Sequence, residues 1–429
     1  MAQMILPSRW CRVAAGFALA GALVCGGMQS IARGADAEWP RWRGPNQDDM
    51  SPDVGLLKTW PEGGPKLVWK LKEVGNGFSS ISIAGGKIFT MGEDNESSYV
   101  HAIAMDGSKK LWSTKVGRTG GGGGYPGPRC TPTVDGEYVY AVGQFGDLVC
   151  LQAATGAEVW RKSLDKDFAG KMHSGWGFAE SPLVDGEKLI VTPGGKKGTL
   201  LALNKLTGET IWRCTEWTDN AAYTGAVAAT LAGKKQYVQL TADSVAGVEP
   251  ETGKLLWRAD RKGQTAVIPT PIVADDCVYV TSGYGIGCDQ FKITLSGAEF
   301  KAANVYSNKV MVNHHGGVIL KDGKLYGYSD GKGWTCQDFK TGDLVWKDKE
   351  HVGKGTISYA DGMFYLRDES KDKGTIALID ATATGYKEHG RFELPDRSDK
   401  QQWPHMVILG GKLYIRDQGN LFCYDVKGK

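Results

Sequence analysis

The sequence has little excess of charge of either sign and no long apolar run. Its 429 residues include 51 Lys and Arg and 48 Asp and Glu, which gives a formal net charge of +3. A nucleic-acid-binding domain usually carries a clear basic excess, so this balance argues against a nucleic-acid partner. The uncharged apolar run from Val13 to Cys25 has thirteen residues, whereas a membrane-spanning helix needs about 20. We therefore predict no transmembrane segment in the mature chain.

Two signatures of metal sites and the signature of a phosphate site are also missing. The chain has no H-E-x-x-H motif and no EF-hand loop, which mark zinc protease sites and calcium sites. The glycine run Gly120 to Gly124 lacks the Gly-Lys-Ser/Thr ending of a phosphate-binding loop. We therefore assign no metal site, and we predict that the glycine run is a mobile surface loop.

The N-terminus has the pattern of an export signal. Arg9 and Arg12 precede the apolar run, and Ala35-Asp36-Ala37 supplies an A-x-A cleavage site. We predict that residues 1–37 are removed and that the mature protein is periplasmic or extracellular, with residues 38–64 as an N-terminal extension. Lipid attachment at Cys25 is disfavoured, because Ala22-Leu23-Val24 lacks the small residue that normally precedes a lipidated cysteine.

Glycine and tryptophan are unusually frequent in this sequence. Glycine accounts for 60 of 429 residues, about twice its average share, and tryptophan for 14. Four segments share the pattern T-G-x-x-x-W followed by Lys or Arg, and they are residues 155–161, 207–213, 252–258 and 341–347. Trp69 and Trp112 end looser copies, and Tyr306 and Phe392 stand where the tryptophan would be.

These eight aromatic positions recur with a period of about 46 residues. They are 69, 112, 160, 212, 257, 306, 346 and 392. Short β-rich runs joined by Asp-Gly turns lie between them, as in Val134 to Tyr140. Such a period with hairpin signals is typical of a β-propeller. We predict an all-β, eight-bladed propeller of four-stranded antiparallel blades, in which the last strand of each blade ends in an aromatic that packs against the next blade.

The two ends of the repeat region predict how the ring closes. The last unit stops after residues 420–425, at the turn where its fourth strand is due, whereas residues 66–71 read as a fourth strand with no preceding three. We predict that residues 66–71 pair with residues 420–425 and complete the last blade, which leaves no open sheet edge. The propeller then spans residues 65–429.

The cysteines fit the repeats better than they fit disulfides. Seven of the nine remain after removal of residues 1–37, and they form no C-x-x-C or adjacent pair. Cys150 and Cys336 each lie six residues before the glycine of a Thr-Gly pair, where related segments have Ala202 and Gly247. This position therefore takes a small buried side chain, and we predict structural thiols.

The T-G-x-x-x-W pattern in an eightfold propeller resembles the pyrroloquinoline quinone (PQQ)-like repeat family, over residues 65–429. The resemblance implies the propeller fold of the quinoprotein alcohol dehydrogenase-like superfamily. One branch is periplasmic dehydrogenases with the quinone and Ca²⁺ on the propeller axis, and another is a non-catalytic lipoprotein scaffold of outer-membrane β-barrel assembly. Three segments, residues 39–45, 313–317 and 403–405, are also similar to a group of exported bacterial proteins.

Two functions remain open from the sequence. The first is a binding or scaffold module outside the cytoplasm, with a protein partner or a small ligand at a propeller face. The second is a PQQ-dependent oxidoreductase, similar to alcohol or polyvinyl alcohol dehydrogenases, with PQQ and Ca²⁺ as cofactors. The adjacent Cys-Cys pair of those dehydrogenases is absent, and their calcium ligands match no motif here, which favours the first. A channel filled by side chains would argue against the second.

Loops that lead into the first strand of each blade converge on the propeller axis, and polar and aromatic residues there are the candidate site. These are Arg129, His173, Trp176, Asn313, His314, His315, Trp403 and His405. The histidines among them could bind a metal, orient a ligand or move protons. Alternatively, these residues hydrogen-bond loop backbones around a narrow wet channel, which we favour. Arg416 and Asp417 either face the channel or form an ordinary ion pair, and we favour the pair.

Overall fold

The computed structural model describes residues 37–94, 96–120, 124–370 and 374–428. Within these ranges the chain forms thirty-three β-strands and no helix, so it also contains no helix able to cross a membrane. Two strands precede the first complete blade, β1 (Met50–Ser51) and β2 (Lys66–Leu71). The remaining strands form eight antiparallel sheets in chain order, so the predicted eight-bladed propeller is confirmed.

Blades 1 to 4 are complete in sequence order. Blade 1 has β3 (Ser82–Ala84), β4 (Lys87–Glu93), β5 (Ser97–Ala104) and β6 (Lys110–Arg118). Blade 2 has β7 (Thr133–Asp135), β8 (Tyr138–Val142), β9 (Asp147–Gln152) and β10 (Glu158–Ser163). Blade 3 has β11 (Leu183–Asp185), β12 (Lys188–Val191), β13 (Leu201–Asn204) and β14 (Thr210–Arg213). Blade 4 has β15 (Val227–Leu231), β16 (Lys234–Leu240), β17 (Ser244–Val248) and β18 (Leu255–Asp260).

Blades 5 to 8 follow the same plan. Blade 5 has β19 (Ile272–Ala274), β20 (Cys277–Ser282), β21 (Gly287–Ser296) and β22 (Glu299–Asn308). Blade 6 has β23 (Val318–Lys321), β24 (Lys324–Ser329), β25 (Gly333–Asp338) and β26 (Leu344–Asp348). Blade 7 has β27 (Gly355–Ala360), β28 (Met363–Asp368), β29 (Thr375–Asp380) and β30 (Glu388–Glu393). Blade 8 has β31 (Val407–Leu409), β32 (Lys412–Asp417) and β33 (Asn420–Asp425).

Strand β2 supplies the missing fourth strand of blade 8. It pairs antiparallel with β33, with Lys66 opposite Asp425 and Leu71 opposite Leu421. The predicted ring closure is therefore confirmed. First strands of neighbouring blades contact one another, as β7 contacts β3 and β11, and as β27 contacts β23 and β31. We call the face at which these first strands begin the upper face, and the opposite one the lower face.

The T-G-x-x-x-W pattern is explained by contacts between neighbouring blades. The indole N–H of Trp112 in blade 1 donates to the carbonyl of Ala153 in blade 2, and the ring covers Gly156, where a Cβ would lie 2.5 Å from it. Gly156 also has φ +74°, a conformation that glycine adopts without steric cost. Trp160 repeats the arrangement on Lys205 and Gly208 of blade 3. Trp212 and Tyr306 likewise pack on Gly253 and Gly342 of the next blades, whereas the Trp257 indole donates to Gln236 of its own blade. The predicted packing of the aromatic on the Thr-Gly turn of the next blade is thus seen at four positions, Trp112, Trp160, Trp212 and Tyr306.

The seven cysteines of the described chain are all free. Cys150 and Cys336 lie in the third strands of blades 2 and 6 and are fully buried. Each stands opposite a tyrosine of the second strand, Tyr140 and Tyr326. The prediction of structural thiols is confirmed.

Residues 39–51, which we call the channel segment, run through the centre of the ring and contact all eight blades. Its hydrogen bonds and ion pairs join Trp39 to Ile83, Pro40 to Val134, Arg41 to Val184, Gln47 to Ala226, Trp42 to Thr270, Arg43 to Val318, and Asp49 to both Tyr359 and His405. Strand β1, at its end, pairs parallel with β27 of blade 7. The channel is therefore filled from the lower face by the protein's own N-terminal extension.

The predicted Arg416–Asp417 ion pair is wrong. Successive residues of a strand point to opposite faces of the sheet, so the two side chains diverge. The buried Arg416 guanidinium donates to the carbonyls of Ser79 and Gly75, both 3.0 Å away in the segment that leads into blade 1. Asp417 instead accepts hydrogen bonds from Ser398. Arg416 does not face the channel, because it ties blade 8 to blade 1.

Candidate functional site

A cavity of about 180 Å³ opens at the upper face, around the axis. Seven blades contribute to its wall the residue that stands four positions before their first strand. These residues are Phe78, Arg129, Ala179, Tyr223, Ile268, His314 and Trp403. The repeat therefore places one chosen side chain per blade on a common rim, and the fold sets their spacing.

Aromatic rings form most of the wall, and many of them contact one another. Trp403 stacks on Phe78 with ring centroids 4.4 Å apart, and it lies 5.2 Å from Tyr125. On the other side it lies 5.2 Å from His315, which is 4.6 Å from His314. Tyr284, from the turn between β20 and β21, continues the series at 4.7 Å from His314. Trp176 and Tyr223 lie across the cavity, 6.4 Å apart.

The floor of the cavity belongs to the channel segment. Trp42 lines the cavity, and its ring lies 4.4 Å from that of His405. Below it, Arg43 Nε is 2.6 Å from Asp49 Oδ2, and both side chains are buried. Burial favours a raised pKa for Asp49, but the charges of Arg43 and His405 outweigh it and hold the pKa below its usual value. The cavity is therefore blind, and a ligand reaches it from the upper face alone.

Five of the eight predicted site residues meet at this cavity. Arg129, Trp176, His314, His315 and Trp403 all line it. His315 also pairs its Nε2 with Glu369 at 2.7 Å. The convergence of loops that lead into the first strands, which the sequence predicted, thus brings residues of blades 2, 3, 6 and 8 together.

The other three lie behind the wall. His405 places Nδ1 2.9 Å from Asp49 and donates from Nε2 to the carbonyl of His315. Asn313 is buried and donates to the carbonyls of Gly317 and Tyr328. His173 lies beside Tyr223, with ring centroids 6.1 Å apart. Asn313 and His405 hold loops in place, which is the alternative that the sequence favoured for the whole set.

Arg129 is the cation of the cavity. It donates to the carbonyls of Tyr125, Gly127 and Trp176, and its guanidinium lies 5.5 Å from the Phe78 ring centroid. A guanidinium has five N–H donors, so two have no partner among the described residues. Burial lowers the pKa of Arg129, whereas Glu93 acts in the opposite direction without forming an ion pair with it in the described chain. Arg129 therefore has no directly bound carboxylate in the described chain and keeps free donors at the cavity.

The charge of Arg129 disfavours the binding of a second cation in the cavity. Two like charges about 5 Å apart repel by about 3 kcal/mol at an effective dielectric constant of 20. A cation on an aromatic face gains about 0.5–2 kcal/mol, which is less. No carboxylate of the described chain lines the cavity to offset this repulsion. The wall therefore favours neutral or anionic groups.

His314 contributes no charge of its own. Its Nδ1 lies 2.9 Å from Nζ of Lys354, which donates to it and also pairs with Asp330 at 2.8 Å. Burial first, then His315 and Lys354, lower the pKa of His314 to about 2. His314 thus stays neutral at ordinary pH, and its ring serves as part of the aromatic wall.

The residues present do not match the quinone and calcium of the dehydrogenase alternative. Ca²⁺ takes six to eight oxygen ligands, with carboxylates prominent among them, yet no described Asp or Glu lines the cavity. Nowhere in the described chain do three or more His, Cys, Asp or Glu residues group as a metal site would require. An aromatic floor for a flat ring is present in Trp42, but the oxygen ligands for a neighbouring cation are not.

Sequence reasoning missed several residues of the wall. Trp42 belongs to a segment noted for its similarity to exported proteins, and nothing local shows that it reaches the axis. Phe78 and Tyr223 share the position four residues before a first strand with Arg129 and Trp403, and this register is the signal that would have found them. Tyr125 follows the glycine run, of which residues 121–123 lie outside the described ranges; the loop itself stays a prediction.

Blade 6 contains one further sequence pattern that is known from enzymes. Residues 327–331 match G-x-S-x-G, the nucleophile signature of α/β-hydrolases, which requires a turn from a strand into a helix. Ser329 ends β24, is fully buried and accepts a hydrogen bond from the Val312 N–H. The next element is strand β25. This serine braces a loop and is not an exposed nucleophile.

The family follows from the repeat region. The family model described as outer membrane protein assembly factor BamB, a PQQ-like repeat family, matches residues 96–347, which is more than half of the chain. The chain belongs to this family. The predicted PQQ-like repeat relationship is thus confirmed. No curated protein matches the chain by sequence.

Solved structures share the fold at low sequence identity. BamB from Moraxella catarrhalis is 14% identical, with a TM-score of 0.59 over 85% of this chain and 98% of its own. A quinohemoprotein alcohol dehydrogenase from Comamonas testosteroni is 12% identical, with a TM-score of 0.62 over 92% of this chain and 81% of its own. Both a BamB and a dehydrogenase thus share the architecture, so the fold alone does not decide between the two functions.

Proposed function

We propose that the protein is a non-catalytic binding module that acts outside the cytoplasm and uses the upper-face cavity as its recognition site. The observation that carries this is the construction of the cavity. Seven blades each contribute a side chain from the same register, and the channel segment closes the bottom with Trp42. Binding sites in folded proteins are concave, mostly apolar and equipped with a few polar groups, and this cavity has all three properties.

The chemistry of the lining supports binding over oxidation of a substrate. A quinone dehydrogenase of this fold would need oxygen ligands for Ca²⁺ beside the quinone, and no described carboxylate lines the cavity. The buried thiols of the chain are free and dispersed, so they offer no disulfide against a cofactor. The partner is a small ligand, or a ring-bearing group of a protein partner, at the upper face.

Removal of residues 1–37, which export would require, is compatible with the fold. Cleavage after Ala37 would make Glu38 the first residue, and Glu38 accepts a hydrogen bond from the Gly85 N–H in the turn between β3 and β4. That turn lies on the lower face, because β3 runs from the upper face to the lower. Removal of residues 1–37 would therefore leave the channel segment intact and the cavity opposite the new terminus.

Reconstitution tests the proposal. The mature chain, residues 38–429, is incubated with PQQ and Ca²⁺, and the reduction of an artificial electron-acceptor dye is followed with a panel of alcohols. We expect no dye reduction that depends on both PQQ and Ca²⁺. In parallel, a panel of single-ring compounds is screened by thermal shift, and we expect hits that Trp403→Ala abolishes.

The matched control is Val54→Ala, which changes an exposed residue remote from the cavity lining. It is expected to keep every hit. Dye reduction that requires PQQ and Ca²⁺ together would overturn the proposal in favour of the oxidoreductase. Hits that survive Trp403→Ala would place binding elsewhere and would also overturn it.

A further inference from the structure

We infer that the cavity takes a single ring that carries one carboxylate, with the ring between the aromatic walls and the carboxylate on Arg129. This inference rests on the proposed function, since it names the ligand class of the same site. It assigns to Arg129 a role that the fold does not require.

The volume of the cavity matches a ligand with a single ring. An apolar cavity of about 150 Å³ is known to hold benzene, and this one measures about 180 Å³. Trp42 forms its floor, and Trp176 and Trp403 stand in its wall. Aromatic pairs favour offset or edge contacts with centroids roughly 4.5–7 Å apart, which a single ring among these side chains can satisfy.

Arg129 favours a negative charge on the ligand. Its three hydrogen bonds go to neutral carbonyls of Tyr125, Gly127 and Trp176, so none of them neutralises it. Two N–H groups remain without a partner among the described residues, and a carboxylate accepts two in its bidentate pairing with arginine. Partly buried charges are normally paired. A ligand carboxylate would therefore complete the pairing that the protein itself leaves open.

Alternative ligands satisfy fewer of these features. A ring with an amine or quaternary ammonium would meet the aromatic faces but would be repelled by Arg129, with no described acid in the lining to hold it. An uncharged ring would fill the space and leave the Arg129 guanidinium without an anionic partner. An anion without a ring would leave the aromatic wall in contact with water. The ring with one carboxylate uses both features at once.

Three single-ring probes of similar size test the inference on the unmodified mature chain. Benzoate, benzamide and benzylamine share one ring and differ in charge, and their binding is measured by calorimetric titration at pH 7.5 and low salt. We expect benzoate to bind at least about tenfold more tightly than benzamide, and benzylamine most weakly. Since no variant is needed, this comparison does not depend on the folding of a mutant. Equal binding of the three, or tighter binding of benzylamine, would overturn the inference.

A matched pair of arginine variants locates the effect. Arg129→Gln removes the charge at the cavity and keeps amide donors for the loop carbonyls. Arg118→Gln makes the same change at an exposed arginine that stacks on Phe145 away from the cavity lining. We expect the first to reduce benzoate binding to the level of benzamide and the second to leave it unchanged. Loss of the benzoate preference in both, or in neither, would overturn the role of Arg129.

The outcomes separate this inference from the proposed function. If benzamide and benzoate bind equally and Trp403→Ala abolishes both, the cavity is a recognition site and the inferred ligand class is wrong. If no ring compound binds and PQQ with Ca²⁺ supports dye reduction, the proposed function itself is wrong.

Discussion

His405 Nδ1 lies 2.9 Å from Asp49 Oδ2, although 356 residues separate the two in the chain. The contact joins the N-terminal extension to the loop that leads into the last blade. Asp49 pairs at the same oxygen with Arg43, and Arg43 in turn donates to the Val318 carbonyl of blade 6. The channel segment is thereby fixed at its centre by charged groups, and Trp42 is held as the floor of the cavity.

We expect Asp49→Ala to destabilise the protein strongly. The variant leaves Arg43 buried without its carboxylate, and breaking a buried ion pair at one partner costs about 3–5 kcal/mol. Urea unfolding of wild type and variant, followed by tryptophan fluorescence, measures the change in free energy of unfolding.

The double variant Arg43→Met with Asp49→Leu is the control for this prediction. It removes both charges and keeps apolar volume, so it is expected to lose less stability than the single variant. A cost below about 1 kcal/mol for Asp49→Ala would mean that the pair is solvated and that the channel segment is not fixed in this way.

Arg416 secures the seam between blades 8 and 1. Its guanidinium donates to backbone carbonyls of Gly75, Ser79 and Met91, and unsatisfied buried acceptors cost about 1–3 kcal/mol each. Arg416→Met is therefore expected to lower the free energy of unfolding by about 3 kcal/mol or more, as measured by chemical denaturation. Arg391→Met, at an exposed arginine of β30 that pairs with Glu388, should change it by less than about 1 kcal/mol. Equal effects of the two variants on the free energy of unfolding would refute the role of Arg416 at this seam.

Glu180 gives the protein a specific pH dependence. Burial raises the pKa of Glu180 from 4.5 to about 7, against the hydrogen bond from the Thr192 N–H. Because the folded pKa is the higher one, the stabilisation is complete below pH 4.5 and is lost as the pH rises through about 7. At about 1.4 kcal/mol per pKa unit, the loss is on the order of 3 kcal/mol.

Glu180→Gln is expected to remove this loss, since the amide oxygen still accepts from Thr192 and no charge is buried. The variant should match wild type near pH 4 and exceed it in melting temperature at pH 8. Glu209→Gln, an exposed change, should follow wild type at both pH values. A Glu180→Gln variant less stable than wild type at pH 8 would show that the buried carboxylate is favourable.

The thiols are expected to be inert in the folded protein. Six of the seven described cysteines are buried, and Cys277 is partly exposed. Burial raises the pKa of Cys130 and Cys423 to about 12, and the thiolate is the reactive form. Titration with a disulfide reagent should modify at most one thiol of the native mature chain. That reaction should disappear in the Cys277→Ser variant, whereas all seven thiols of the wild-type chain should react in denaturant. A disulfide in the purified chain, seen by mass, would contradict this prediction.

The blades could be predicted from the sequence because their determinants are local and repeated. Trp112 and Trp160 mark the blade ends through contacts with the next Thr-Gly turn, so each motif carries its own structural cause. Ring closure by β2 followed from a missing strand at one end and a surplus strand at the other. The Arg416 prediction failed because proximity in sequence was read as contact, whereas strand geometry separates neighbours.

The site could be predicted only in part. His314 and Trp403 were found because loops that lead into first strands converge on the axis in any propeller. Trp42 and the closure of the channel were not found, because they depend on contacts such as Asp49 with His405, which no periodicity encodes. His405 was assigned to the site and instead supports its floor, since side-chain direction within a loop depends on packing that the sequence does not display.

The most direct test of the binding site is anomalous diffraction from crystals of the mature chain soaked in 4-bromobenzoate. We expect a bromine peak inside the upper-face cavity, above Trp42. Its position should allow the carboxylate at the other end of the ring to pair with Arg129. A peak at another site, or no peak at a concentration that saturates binding in solution, would contradict the account.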